Sequence, residues 1–203
     1  MSALALDPWP YLAFASLHLV AGQGLAGLVY RARFGRSPLV LYRRRAAAGA
    51  HGRRTRWVGL ATVAWAAALL ASAFSPGFGA SVVGMPLVSV PPIAGWIVGM
   101  LGLVGMLAAQ VGMGAAFRVG LDESEVPTLV TTGLHRVSRN PVYVASVLYL
   151  VGVSLWAPCA AVLLGLVAVA AGIHGLVRAE ERFLAAALGP EHAAYCREVR
   201  RYL

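Results

Sequence analysis

Five stretches of the chain, 12–30, 57–74, 93–117, 141–156 and 160–177, contain no Asp, Glu, Lys or Arg; charged segments follow the first and third, an uncharged Gly- and Pro-rich loop at 75–92 follows the second, and a tight turn at Ala157-Pro158 joins the last two. Each approaches the roughly 20 apolar residues that a helix needs to cross a bilayer. The pattern predicts an all-α fold, a polytopic membrane helix bundle of about five transmembrane helices forming a single domain over 1–203. Charge returns after Val177, so 178–203 reads as an amphipathic cytoplasmic tail broken at Gly189-Pro190. In the first span the polar exceptions are His18 and Gln23. Five residues apart on a helix places them about 140° from each other, a spacing that suits packing between helices. Gly95, Gly99 and Gly102 recur at a spacing that lets a neighbouring helix approach closely. Gly112 and Gly114 are expected to serve close packing as well, since no strand precedes them to make a cofactor loop.

Charge orients this bundle. All 17 cationic residues are arginines, nine within 31–56, three within 118–139 and five within 178–201. Five spans with the N-terminus outside put all three groups in the cytoplasm, as the positive-inside bias requires of a protein in the inner membrane. The 31–56 segment reads as a loop in which Leu39–Tyr42 lies on the bilayer surface, and Asp122, Glu123 and Glu125 open the second cytoplasmic connection. Composition agrees: 59% hydrophobic residues and a mean hydropathy of +0.72 exclude a water-soluble domain. The net charge of +9 lies beside apolar spans without a nucleic-acid motif, so its partner is the membrane surface and not nucleic acid. Cys159 and Cys196 fall on opposite sides, which precludes a disulfide framework, and no metal-ligand spacing occurs.

Two polar segments carry candidate chemistry. Asn140-Pro141 has the form of a helix start, with Asn as cap and Pro at the first helical position. Arg136 and Arg139 precede it, so free backbone N–H groups, the helix dipole and two guanidiniums gather into an anion site. At the other end of the last two spans, His174, Arg178 and Glu181 share one helical stripe, while Glu180 points about 100° away. The turn at Ala157-Pro158 makes these spans antiparallel, bringing Arg139, Asn140 and Tyr143 towards His174, Glu180 and Glu181. Cations facing acids suit a zwitterionic ligand, although an Arg178–Glu181 ion pair sealing a helix end would use the same residues.

The run LVTTGLHRVSRNPVY is similar to the LVTxGxYxxxRHPxY signature of the isoprenylcysteine carboxyl methyltransferase family, and AEERFLAAALGPEHAAY with Val199 resembles its EExxLxxxFGxEYxxYxxxV tail. Phospholipid methyltransferases look alike in the same region, about Gly112 to Tyr202. The resemblance implies a membrane enzyme that takes a methyl group from S-adenosylmethionine, with a lipophilic small-molecule or lipid acceptor reached from the bilayer. Carried over by position, Val130, Thr131, Gly133, Arg139, Pro141 and Tyr143 match the first motif, and Glu180, Glu181, Gly189 and Tyr195 the second. The expected cofactor site is therefore Val130, Thr131, Gly133, His135, Arg139, Asn140, Pro141, Tyr143, Glu180 and Tyr195, completed by the tail. Expected catalytic residues are Glu181, which orients or deprotonates a thiol, carboxylate or amine acceptor, then His174, with Arg178 holding an anionic acceptor. Asn140 stands where the family often has His, His135 where it often has Tyr, and His192 in place of the first tail Tyr, so a base role does not carry over to position 140. Two rival readings remain. His174, Arg178 and Tyr195-Cys196 are also similar to a pattern of NADPH-dependent sterol reductases, and a channel would need facing polar residues at midplane, where the spans offer little beyond Ser72, Gln110, Ser146 and Ser154.

Overall fold

The computed structural model describes residues 8–17, 20, 24, 26–35, 50–79, 81, 87, 90–117 and 127–203. His18, Gln23, residues 36–49 and the acids Asp122, Glu123 and Glu125 lie outside them. All described regular elements are helices: α1 (Pro8–Leu17), α2 (Ala26–Phe34), α3 (Ala50–Phe74), α4 (Pro92–Met113), α5 (Pro141–Ser154), α6 (Ala160–Leu188) and α7 (Pro190–Glu198), with one-turn pieces at Pro76–Gly79, Gly114–Ala116 and Gly133–Arg136. Gly52–Phe74, Pro92–Ala116 and Ala160–Leu188 are long and apolar enough to cross a membrane, and Pro141–Ser154 is a shorter apolar helix.

Three boundaries differ from the sequence expectation, the first being that α2 runs past Tyr30 to Phe34 and so carries Arg31 and Arg33 on a helix. Helix α3 starts at Ala50, so Arg53, Arg54 and Arg56 stand on a helix and not in a loop. Arginine is a good helix former whose stem lies along apolar surface while its head stays in water, so the charge did not mark the helix end. Helix α6 likewise runs past Val177 to Leu188. The sequence RAEERFLAAAL is composed of helix formers, and the break waits for Gly189, whose φ of +52° ends α6 before Pro190 opens α7.

The helices pack as two close pairs, α4 with α5 and α3 with α6, joined where α5 meets α6. Glycine sets the first pair. A Cβ on Gly95 would lie 2.8 Å from the Gly152 carbonyl oxygen, and one on Gly102 would lie 2.7 Å from the Tyr149 Cα. The backbones touch, as the spacing of Gly95, Gly99 and Gly102 predicts. Gly112 and Gly114 do not take part. Among the described residues nothing lies within 4 Å of a Cβ on either, and Gly114, with φ +50°, ends α4. On the α4–α5 pair sits α1, through a fully buried Phe14 against Trp96 and Tyr149 at ring distances of 4.2 and 5.4 Å. The Tyr149 hydroxyl donates to the Phe14 carbonyl. Near the middle, Trp65 of α3 donates to Ser154 Oγ at 3.0 Å, which satisfies an indole inside the bundle.

Antiparallel packing sorts the two ends. At one, Ser72 approaches Cys159 at 3.6 Å and Leu87 donates to the Pro158 carbonyl. At the other, Tyr30 donates to the Ala115 carbonyl at 2.8 Å, and Arg139 N to the Arg200 carbonyl at 2.9 Å. The described arginines that flank α3, α5 and α6 therefore share one end of the bundle. Cys159 and Cys196 are both free thiols and belong to opposite ends.

Candidate active site

The arginine-bearing end encloses a cavity of about 280 Å³ between the last turns of α4, the first turns of α5, the far end of α6 and α7. Its chemistry is graded. Met106 and Met113 of α4, Val142 of α5, and Phe183 and Leu184 of α6 make one side apolar, while His135, Arg139, Asn140, Glu180, Glu181 and Tyr195 supply polar groups on the other.

The polar side is tied to the chain terminus. Arg201 donates from Nε to Glu181 Oε2 at 2.8 Å, and its Nη2 lies 2.8 Å from the same oxygen. Glu181 Oε1 is held more loosely, 3.4 Å from Arg139 Nη2 and 3.4 Å from Asn140 Nδ2. The Asn140 amide also donates to the Arg201 carbonyl at 3.2 Å, and Ser138 Oγ to that same carbonyl at 3.3 Å. Residues 199–203 thus strap across the segment that leads into α5. Asn140 occupies the cap position of α5 yet makes no side-chain capping bond. Its amide is drawn across to the C-terminus, a competition between local and tertiary partners that spacing does not reveal.

Glu180 and Glu181 divide as their 100° separation requires. Tyr143 donates to Glu180 Oε1 at 2.5 Å, inside the cavity, and among the described residues Glu180 has no ion-pair partner. The stripe of His174, Arg178 and Glu181 exists but faces the strap: His174 Nδ1 is 2.7 Å from the Tyr202 hydroxyl, and Glu181 meets Arg201. Neither His174 nor Arg178 lines the cavity, and Glu181 pairs with Arg139 and Arg201, where the alternative reading had placed Arg178. Of the other expected site residues, Val130, His135, Arg139, Asn140, Pro141, Tyr143, Glu180 and Tyr195 line it. Thr131 and Gly133 are exposed and do not, and Arg136 points to solvent. Gly133, at φ +59°, instead permits the turn that aims His135 inward.

Burial shapes the site's protonation. His135 is 7% exposed, its Nδ1 is buried without a partner, and desolvation holds its pKa below the ordinary value. Desolvation also lowers His192, helped by the Arg139 charge and opposed by Glu181. Both imidazoles are neutral at pH 7. Burial pushes the Tyr195 hydroxyl up to about 12, so it stays protonated and donates to the His135 carbonyl at 2.6 Å. Arg139 donates to Cys196 Sγ through Nη1, while its Nε is buried without a partner among the described residues.

Several lining residues escaped the sequence reading. Phe183 and Leu184 follow Glu180 by three and four residues, a helical spacing that could have found them. Arg201 and Ser138 carry no local signal, because only the fold brings them to Glu181 and Asn140.

No curated protein and no solved structure matches the chain. The sequence model described as phospholipid methyltransferase matches residues 90–191, the segment that supplies α4, α5, α6 and most of the cavity lining. With half of its length so matched, and with apolar membrane helices ending at a polar cavity, the chain belongs to the phospholipid methyltransferase family of integral membrane proteins.

Proposed function

We propose that this chain transfers a methyl group from S-adenosylmethionine to the polar head of a lipophilic acceptor, a phospholipid amine before a thiol or carboxylate, at the cytoplasmic leaflet of the inner membrane. The N-terminus then lies outside and the C-terminus inside. The observation that carries this reading is one cavity with an apolar wall and a zwitterion-matching wall, inside the segment that matches the family.

The residues present fit the cofactor. Arg139, with a buried and unpartnered Nε, meets a carboxylate. Glu181 Oε1, held only by contacts of 3.4 Å, has capacity for an ammonium group, while its other oxygen stays locked to Arg201. His135, neutral with a buried free Nδ1, offers a face and a hydrogen-bonding atom to a purine. When bound, S-adenosylmethionine supplies an electrophilic methyl group on a sulfonium that departs as a neutral thioether.

In this reading the proton-transfer role, expected of Glu181, falls to Glu180. Glu181 is bound between two guanidiniums, which suits it to position Arg139. Glu180 faces the cavity and is oriented by Tyr143. It takes the proton that an ammonium acceptor must lose before its nitrogen has a lone pair. Met106, Met113 and Phe183 exclude water and accommodate the apolar part of the acceptor. The reductase reading draws no support, since His174 and Arg178 stand away from the cavity. Purified protein incubated with methyl-labelled S-adenosylmethionine and a total lipid extract tests the proposal: labelled aminophospholipid is expected, and stabilisation by NADPH without any by S-adenosylhomocysteine would overturn it.

A further inference from the structure

A second concavity lies on the outside of the bundle, away from the reactive cavity. Arg53, Arg54 and Trp57 from the start of α3 and Ala171, Gly172 and Gly175 from α6 line a groove of about 390 Å³. Glycine makes it. A Cβ on Gly172 would come within 2.7 Å of Val58 Cγ2, so glycine there lets α3 approach, and a Cβ on Gly175 would meet the Arg54 stem at 3.9 Å. Any longer side chain at 175 would fill the space under the guanidinium. Among the described residues neither Arg53 nor Arg54 has an acidic partner.

The groove sits where both helices change character. Along α3, exposed Arg53 gives way to exposed Trp57, Leu60 and Val63. Along α6, exposed Leu164, Val167 and Ala171 give way to Gly175 and exposed Arg178, at steps of three and four residues. Two neighbouring helices thus switch from lipid-facing to cationic at one level, and an indole marks that level on α3. Paired guanidiniums above an apolar track match a phosphodiester with its acyl chains below it.

We propose that this groove binds the headgroup of an anionic glycerophospholipid at the bilayer interface, a lipid distinct from the methyl acceptor. The phosphodiester lies between Arg53 and Arg54, and one acyl chain follows Trp57, Leu60 and Val167. The site is independent of the methyltransferase reading, because it shares no residue with the reactive cavity.

Native mass spectrometry of the detergent-purified chain, offered phosphatidylglycerol or phosphatidylcholine of the same acyl composition, tests it. Phosphatidylglycerol is expected to be retained about tenfold better, in keeping with two arginines near an anionic surface. The R53Q/R54Q double variant is expected to lose most of that preference, and so is Gly175→Leu, which fills the groove and keeps both charges. Equal retention of the two lipids by the unaltered chain would overturn the proposal. So would an undiminished preference in Gly175→Leu at an unchanged melting temperature, which would show diffuse attraction to surface arginines. Displacement of the lipid by excess inorganic phosphate would show a simple anion site instead.

Discussion

At the scale of single residues, the site depends on two adjacent acids with different partners. Arg139 and Glu181 have side chains only 14% and 12% exposed, so removing the Glu181 charge strands Arg139, at a cost of about 3–5 kcal/mol for a buried pair, whereas removing Arg139 leaves Glu181 paired with Arg201. Glu181→Gln is therefore expected to weaken S-adenosylhomocysteine binding at least tenfold and to lower the melting temperature, while Arg139→Ala is expected to weaken that binding with a smaller loss of stability, because Glu181 keeps Arg201. Glu180→Gln is expected to leave that binding within about twofold and to reduce kcat by roughly 100-fold or more, the range of general base catalysis. Isothermal titration and turnover on the same preparations check the split. The reverse assignment, binding lost in Glu180→Gln and kept in Glu181→Gln, would exchange the two roles. Acid pH gives a second residue-level test. His135 and His192 have folded-state pKa values below the ordinary 6.5, so the unfolded chain binds their protons first as the pH falls. The stability they contribute is fully present above pH 6.5 and is lost on acidification below it. His192→Gln is expected to flatten the fall in melting temperature between about pH 6.5 and 5, and an unchanged slope would remove His192 from the account.

Elements were legible in the sequence where glycine or proline punctuates them. Pro141 and the Gly189-Pro190 pair mark helix starts and a helix end, and Gly95, Gly99 and Gly102 mark the face of α4 that meets α5. The starts and ends set by charge were misjudged, because Arg53–Arg56 and Arg178–Arg182 continue their helices beyond the apolar core. Gly112 and Gly114 show the complementary error: small residues on a membrane helix are not always contact residues, and Gly114 serves a helix end. Substitution separates the two kinds. Gly152→Leu would force apart backbones that leave no room for a Cβ, and a large loss of stability is expected, several kcal/mol as for overpacking a rigid contact. Gly112→Ala, with nothing within 4 Å, is expected to be neutral or slightly stabilising. Thermal unfolding in detergent compares them directly, and equal melting temperatures would refute the close-packed α4–α5 contact.

For the whole molecule, the site is assembled within the second half of the chain by antiparallel packing of α5 on α6 and by the C-terminal strap. The convergence of Tyr143 on Glu180 followed from the short turn between those helices, and so was foreseeable. The strap was not. Its polar atoms, the Arg200 and Arg201 carbonyls and the Arg201 guanidinium, find partners 20 to 63 residues away, a separation at which helical periodicity carries no information. It also explains why the His174 stripe misled: the stripe is real, but its partners are Tyr202 and Arg201 of the terminus, and His174 and Arg178 stay exposed outside the cavity. Removal of residues 199–203 is expected to leave the helices folded by circular dichroism while abolishing cofactor binding, since Glu181 and Asn140 both lose partners. The central claim is tested most directly by transfer of label from methyl-labelled S-adenosylmethionine to lipid in nanodiscs that contain the purified chain and an aminophospholipid. The account expects a labelled phospholipid from the intact chain and at least a 100-fold slower appearance with Glu180→Gln. No labelled lipid from the intact chain, with a folded protein that S-adenosylhomocysteine does not stabilise, would contradict it.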